Sequence, residues 1–221
     1  MVLALDHADH NFSSRIYIQK EKIVKKGIAF FDFDGTITTK DTLLEFIKYS
    51  KGSFRFYLGF LINSPYLVAF KLKLIPNQTA KEKVLAFFFK GTTEKAFQEK
   101  CDSFATDIIP TLIRPKAIEE IKKLQAAGTP IVIVSASPEN WIARWADTMQ
   151  VKLIATKLVV KDGLLTGKIS GNNCYGEEKV RRINETYPSA DYEWLAAYGD
   201  SSGDKPMLAK ANTSFYKPFR K

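Results

Sequence analysis

The apolar positions of this chain change period several times, and the order of the changes predicts a mixed α/β protein. Gly27 to Phe33 reads as a short buried strand: Ile28, Ala29, Phe30 and Phe31 run continuously apolar and stop at a carboxylate–glycine turn. From Asp41 to about Ile113 the spacing is helical, with Leu43, Leu44, Phe46 and Ile47, the run Phe87-Phe88-Phe89, and then Phe97, Phe104 and Ile108; no strand interrupts it. A helix over 116–127 follows, with Pro115 at its start, Ile118, Ile121 and Leu124 on one face and Gly128 past its end. Next come a strand Pro130–Val134 and a helix with Ser137 as cap, Pro138 at its first position and Trp141, Ile142 and Trp145 as packing face. Asp162-Gly163 between apolar pairs marks a hairpin, Glu177–Tyr187 a helix, and Trp194–Tyr198 a last buried strand ending at Gly199-Asp200. An α/β core with a helical insertion after its first strand accounts for the whole pattern.

Composition narrows this picture only a little. With 221 residues and 45% hydrophobic content the chain can bury one core and a small second lobe. A formal charge of +9 points to an anionic partner without separating nucleic acid, membrane surface and phosphorylated metabolite. Two distant cysteines, Cys101 and Cys174, suit neither a disulfide scaffold nor a zinc site and read as reduced thiols of a cytoplasmic protein. Residues 1–26 read as a polar extension without the apolar core of a secretion signal. The apolar run Phe54–Ile75 is interrupted by Asn63, Ser64 and Pro65, so it falls short of the ~20 mainly apolar residues of a spanning helix and leaves only a peripheral contact with an anionic membrane open.

Three of the expected strands end at Asp32, Ser135 and Asp200. Open parallel sheets bind ligands beyond the carboxyl ends of their strands, although Asp, Ser and Gly also end strands simply because they suit turns. Asp32 and Asp34 lie two apart, so a near-extended chain turns both to one side; two carboxylates so close call for a cation or a shared proton. Gly35 frees a sharp turn and Thr36 adds a hydroxyl. A calcium loop would carry its glycine at the sixth position rather than the fourth. Lys179 falls in the first turn of a helix, where the macrodipole disfavours a cation, and Glu177 and Glu178 partly offset that.

Taken together, Asp32-Phe33-Asp34-Gly35-Thr36, Ser135 at a strand end, Lys179, and Gly199-Asp200-Ser201-Ser202-Gly203-Asp204 resemble the four ordered motifs of the haloacid dehalogenase superfamily, in its phosphoserine-phosphatase-like branch. The resemblance covers residues 27 to 217. It implies a Rossmann-like, doubly wound parallel sheet core (27–40 and 114–221) with a helical cap (41–113), and a magnesium-dependent phosphomonoester hydrolase. On that resemblance Asp32 is the nucleophile and Asp34 the general acid and base; Mg2+ is held by Asp32, the backbone carbonyl of Asp34, and Asp200. Ser135, Ala136, Lys179 and Thr36 bind phosphate, while Asp204 and Ser201 support the metal site. Asp34 argues against a dehalogenase, which needs no acid there; a phosphomutase or phosphotransferase remains the alternative, and a non-catalytic basic protein binding membrane or RNA ranks last.

Asp41 sits where some relatives place a substrate-contacting acid, but reads first as a helix cap. Gly203 stands where phosphoserine phosphatases usually carry Asn, which counts against phosphoserine as substrate. Asn173–Lys179 resembles a group of uncharacterised hydrolases related to phosphatidylglycerophosphatases, so a phospholipid joins the small phosphorylated metabolites as a candidate substrate. No nucleic-acid partner is expected, since no motif for one is present.

Overall fold

The computed structural model describes residues 27–220; the polar extension expected over 1–26 lies outside the described residues. Strand β1 (Ile28–Phe31) is followed by a tight turn and four helices, α1 (Thr42–Lys71), α2 (Asn77–Phe89), α3 (Glu94–Asp107) and α4 (Ile109–Leu112). Then come α5 (Pro115–Ala126), β2 (Ile131–Pro138), α6 (Glu139–Thr148), β3 (Lys152–Lys161), β4 (Leu164–Ser170), α7 (Glu177–Thr186), β5 (Leu195–Gly199), α8 (Lys205–Lys210) and β6 (Thr213–Tyr216). One sheet runs β4-β3-β2-β1-β5-β6, parallel throughout except for the β3–β4 hairpin.

The central strand explains the two-layered packing. Successive side chains of a strand face opposite sides, and β1 divides accordingly. Ala29 and Phe31 join the core shared with Ala117 and Ile121 of α5 and Trp141 and Ile142 of α6, whereas Ile28 and Phe30 meet Ile183 of α7 and Met207 and Leu208 of α8. All four β1 residues are buried, as a doubly covered parallel strand requires.

Some details depart from the expectation. β2 continues through Ser135 to Pro138, and α6 begins only at Glu139. Ser137 does not cap that helix: its own N–H donates to Ser135 Oγ at 3.0 Å, folding residues 135–138 into a kink where the register with β3 shifts. The hairpin turn does form at Asp162-Gly163, both at positive φ (53° and 71°), the conformation that Asp-Gly hairpins favour. Edge strand β6 carried no clear sequence signal.

The inserted helices are tied to the core at several places. Phe46 stacks on Trp141 of α6 at 4.7 Å and meets Phe89, Phe97 and Phe104 at 5.3–5.5 Å, so these aromatics are core. Truncating one of them would cost ~3–5 kcal/mol. Beyond that cluster, the α2–α3 connection hydrogen-bonds along β4: Gly91 N–H to Leu165 O (2.8 Å), Leu165 N–H to Thr92 O (2.9 Å) and Glu94 N–H to Gly163 O (2.9 Å). α2 lies so close to β4 that a Cβ on Gly167 would come within 2.3 Å of Ala86 Cα.

Candidate active site

β2, β1 and β5 are neighbours, so their carboxyl ends bring Ser135, Asp32 and Asp200 together. Asp32 leaves β1 still bonded to the sheet, its N–H donating to Tyr198 O at 2.9 Å. The chain then reverses through Asp34 and Gly35, the latter at φ 81°. Glycine is required there twice over, because a Cβ would also lie 2.5 Å from Asp200 Oδ2.

Lys179, in the first turn of α7, is buried with its ammonium spending one contact on each of three acceptors: Asp32 Oδ1 (2.6 Å), Asp204 Oδ1 (2.6 Å) and Val134 O (2.7 Å). Burial alone would lower its pKa, but Asp32 and Asp204 overcome that and hold it above the usual lysine range. Burial pushes the Asp32 carboxyl up to about 8; the Lys179 charge opposes the rise, while Asp204 and Asp34 add to it. A further positive charge beside Asp32 would therefore favour its ionised form.

Asp204 Oδ2 accepts from the N–H groups of Asp200 (3.2 Å) and Ser201 (2.9 Å) and from Ser201 Oγ (2.7 Å), so this oxygen is fully engaged and fixes the loop 200–204. Asp200 accepts from Thr36 Oγ1 at 3.4 Å and pairs with Arg220. Carboxylate oxygens of Asp32, Asp200 and Asp204 lie within 4.8 Å of one another. An all-oxygen, partly buried donor set of this kind fits a hard divalent cation such as Mg2+.

Asp34 is held from two sides: Thr42 at the start of α1 donates its N–H (2.6 Å) and Oγ1 (2.5 Å) to Oδ1, and Ser135 Oγ lies 3.3 Å from Oδ2. Trp141 Nε1 in turn donates to Thr42 Oγ1 at 3.0 Å. A pocket opens over these groups, lined by Asp32, Asp34, Ala136, Lys179, Ser201 and Asp204 from the core and by Asp41, Leu43, Asn77 and Lys81 from the inserted helices.

Most of the sequence-derived residues therefore converge. Thr36 contacts Asp200 rather than the pocket. Asp41 is the cap of α1, accepting from Leu44 N–H at 3.1 Å, and also reaches the pocket rim. Sequence reasoning missed Lys81, whose ammonium donates to Ala136 O (2.9 Å) and Asn173 Oδ1 (3.4 Å); burial lowers its pKa, with Asp41 and Asp34 opposing. With Lys83 two residues on, it carried no distinguishing signal. Thr42 was missed as a site residue because its role depends on where α1 begins. Both cysteines are buried free thiols; burial raises the pKa of Cys174, which lies close enough to Lys179 and Asp32 to feel their charges.

A doubly wound sheet with acids and a lysine gathered at its carboxyl ends defines a ligand-binding α/β enzyme of the Rossmann-like class. The particular family follows from the sequence: residues 29–209 match the haloacid dehalogenase-like hydrolases, and the chain belongs to that family. It is 38% identical over 197 residues to protein CicA of Caulobacter vibrioides, covering 87% of this chain and 86% of that protein. It is 29% identical over 199 residues to a Mycobacterium tuberculosis protein carrying the name probable phosphatase, covering 87% of this chain and 69% of the relative. A solved phosphoserine phosphatase, an analogue of its phospho-aspartyl intermediate, shares the fold with a TM-score of 0.64 at 20% identity, over 86% of this chain and 85% of that one.

Proposed function

We propose that this hydrolase is a magnesium-dependent phosphomonoesterase working through an aspartyl-phosphate on Asp32. The observation that carries the reading is the placement of Asp32: it lies at the end of β1, held by Lys179 and facing a pocket into which Asp34 also opens. The Asp32 carboxylate attacks phosphorus as the bond to the leaving oxygen breaks, and Asp34 supplies that oxygen's proton. Asp34 then takes a proton from the water that attacks the phosphoryl-aspartate, releasing phosphate and restoring Asp32. Thr42 and Ser135 keep the Asp34 carboxylate aimed during both proton transfers. Asp32, Asp200 and the backbone carbonyl of Asp34 would hold Mg2+, whose charge offsets the repulsion between carboxylate and phosphate. Asp204 serves by fixing Lys179 and the loop 200–204. Ala136 and Lys179 line the pocket that would receive the transferring oxygens, while Ser135, itself buried, adjoins it through Asp34.

Residues 41–113 act as a cap in this reading, since α1 and α2 contribute Leu43, Asn77 and Lys81 to the pocket wall. The substrate is the phosphomonoester of a small metabolite or of a lipid headgroup. A panel containing phosphoserine, sugar phosphates and phosphatidylglycerophosphate, assayed with and without magnesium, tests both levels. Hydrolysis that Asp32→Asn abolishes supports the mechanism; equal turnover by mutant and parent rules the nucleophile out, and phosphate appearing on an acceptor alcohol instead of in solution identifies a phosphotransferase.

A further inference from the structure

From its kink at Gly52 onward, α1 is apolar on two opposite sides. Its inner side is accounted for: Phe56, Phe60 and Leu67 pack against the core, and Gly59 is so close to α2 that a Cβ would lie 2.2 Å from the Phe88 ring. Its outer side is not. Phe54, Leu58, Leu61, Pro65, Val68 and Leu72 recur at steps of three and four, which places them along one helix face. Phe54 is 79% exposed, Leu61 70% and Leu72 64%, and Leu74 in the following turn is 72% exposed. The stripe runs ~27 Å along the helix at about 1.5 Å per residue. Scattered exposed apolar side chains need no explanation, whereas a contiguous stripe of this length marks a contact surface.

Charge says what kind of contact. Residues 46–81 contain no Asp or Glu, while Lys48, Lys51, Arg55, Lys71, Lys73 and Lys81 all fall within them. The first three lie near one end of the stripe and Lys71 and Lys73 at the other. Lys83 adds a cation whose ammonium lies 5.0 Å from the Tyr66 ring centroid. No helix among the described residues is long and apolar enough to cross a membrane. An apolar face bracketed by cations, on a helix that cannot span, fits the plane of an anionic lipid surface: side chains enter the acyl boundary and lysines meet the headgroups. A second copy of the chain would set two such acid-free cationic surfaces against each other. We infer that the outer face of α1 and the turn after it form a docking surface for anionic membranes. The turn 72–76 leads directly into Asn77, which lines the pocket, so docking brings the pocket rim to the lipid surface.

The inference is independent of what the pocket hydrolyses and is tested without an activity assay. The full chain is sedimented with vesicles of phosphatidylcholine alone and of phosphatidylcholine mixed with phosphatidylglycerol, at low and high salt. Binding is expected on the anionic vesicles only, to weaken with salt, and to fall about tenfold or more in Lys71→Glu/Lys73→Glu, given that each such cation contributes on the order of a factor of five. Leu61→Gln/Leu72→Gln is expected to lose binding while its thermal melt by circular dichroism is unchanged, because both side chains already face water. Failure to sediment with anionic vesicles, undiminished binding by Leu61→Gln/Leu72→Gln, or a stable dimer that this double variant dissociates would each overturn it.

Discussion

The ring of Tyr175 occupies the space beside Gly203: a Cβ built there would lie 2.2 Å from Tyr175 Cε2. Tyr175 also hydrogen-bonds Ser202 through its hydroxyl at 3.1 Å and lines the pocket. The glycine that departs from the Asn usual in phosphoserine phosphatases is thus one half of a pair. Gly203→Ala should cost ~1–3 kcal/mol by overpacking, read as a lowered urea midpoint, and Tyr175→Ala in the same chain should recover most of it. An additive loss in the double variant would show that the two positions are not coupled.

Lys179 compensates two buried carboxylates at once. Lys179→Met keeps the volume and removes the charge, leaving Asp32 and Asp204 facing each other without a cation. Breaking a buried pair in this way costs ~3–5 kcal/mol, and the loss should appear in equilibrium unfolding even if a mutant retained some turnover. Lys179→Arg is not expected to restore it, because a planar guanidinium cannot reproduce three contacts converging on one nitrogen.

Thr42 touches the proposed general acid without being one itself. Thr42→Val preserves shape but removes a hydrogen bond to a carboxylate, of a kind that contributes ~1.5–3 kcal/mol, and leaves Trp141 Nε1 without its acceptor. The expected signature is a kcat reduced by roughly ten- to a hundredfold with a displaced pH profile, while KM changes little. A purely structural role would lower stability and leave the pH profile of kcat in place.

Magnesium binding should depend on Asp200 more than on Asp204, whose oxygens are already engaged by the 200–204 loop and Lys179. Titration calorimetry of Asp200→Asn should show weakened magnesium binding with the fold intact. Asp204→Asn should instead lower the melting temperature.

Glu178 gives a pH dependence of known sign. Its hydrogen bonds with Arg181, and next with Arg182 and Asn172, hold its carboxyl down to about 2 from 4.5, against the opposing effect of burial. A depressed folded pKa means stability that is fully present above the unfolded value and lost as pH falls from about 4.5 through about 2. Glu178→Gln should therefore be less stable at neutrality and show a flatter stability curve across that acid window, measured by urea unfolding at a series of pH values.

Much of this was legible from local pattern. β1 announced itself because a doubly covered strand is continuously apolar, and the Asp162-Gly163 turn because its backbone demands those residues. The site's acids were legible because strand ends and a glycine turn sit at fixed places in the chain. What stayed hidden depends on partners distant in sequence. Lys81 looks like any helical lysine until α2 is laid against Ala136 and Asn173. Edge strand β6, exposed along its four residues, has no apolar periodicity to read. The kink at 135–138 arises from Ser135 Oγ accepting the Ser137 N–H, a contact that competes with helix capping and that composition alone cannot rank.

The bonding of residues 91–94 along β4 bears on how transferable the helical insertion is. Exchanging residues 41–113 for the corresponding segment of a relative would strip β4 of its neighbour and expose an unpaired sheet edge, the usual template for intermolecular pairing. It would also leave Gly167 without the Ala86 backbone it was fitted to. Chimaeras that divide the insertion from β4 should be recovered as aggregates.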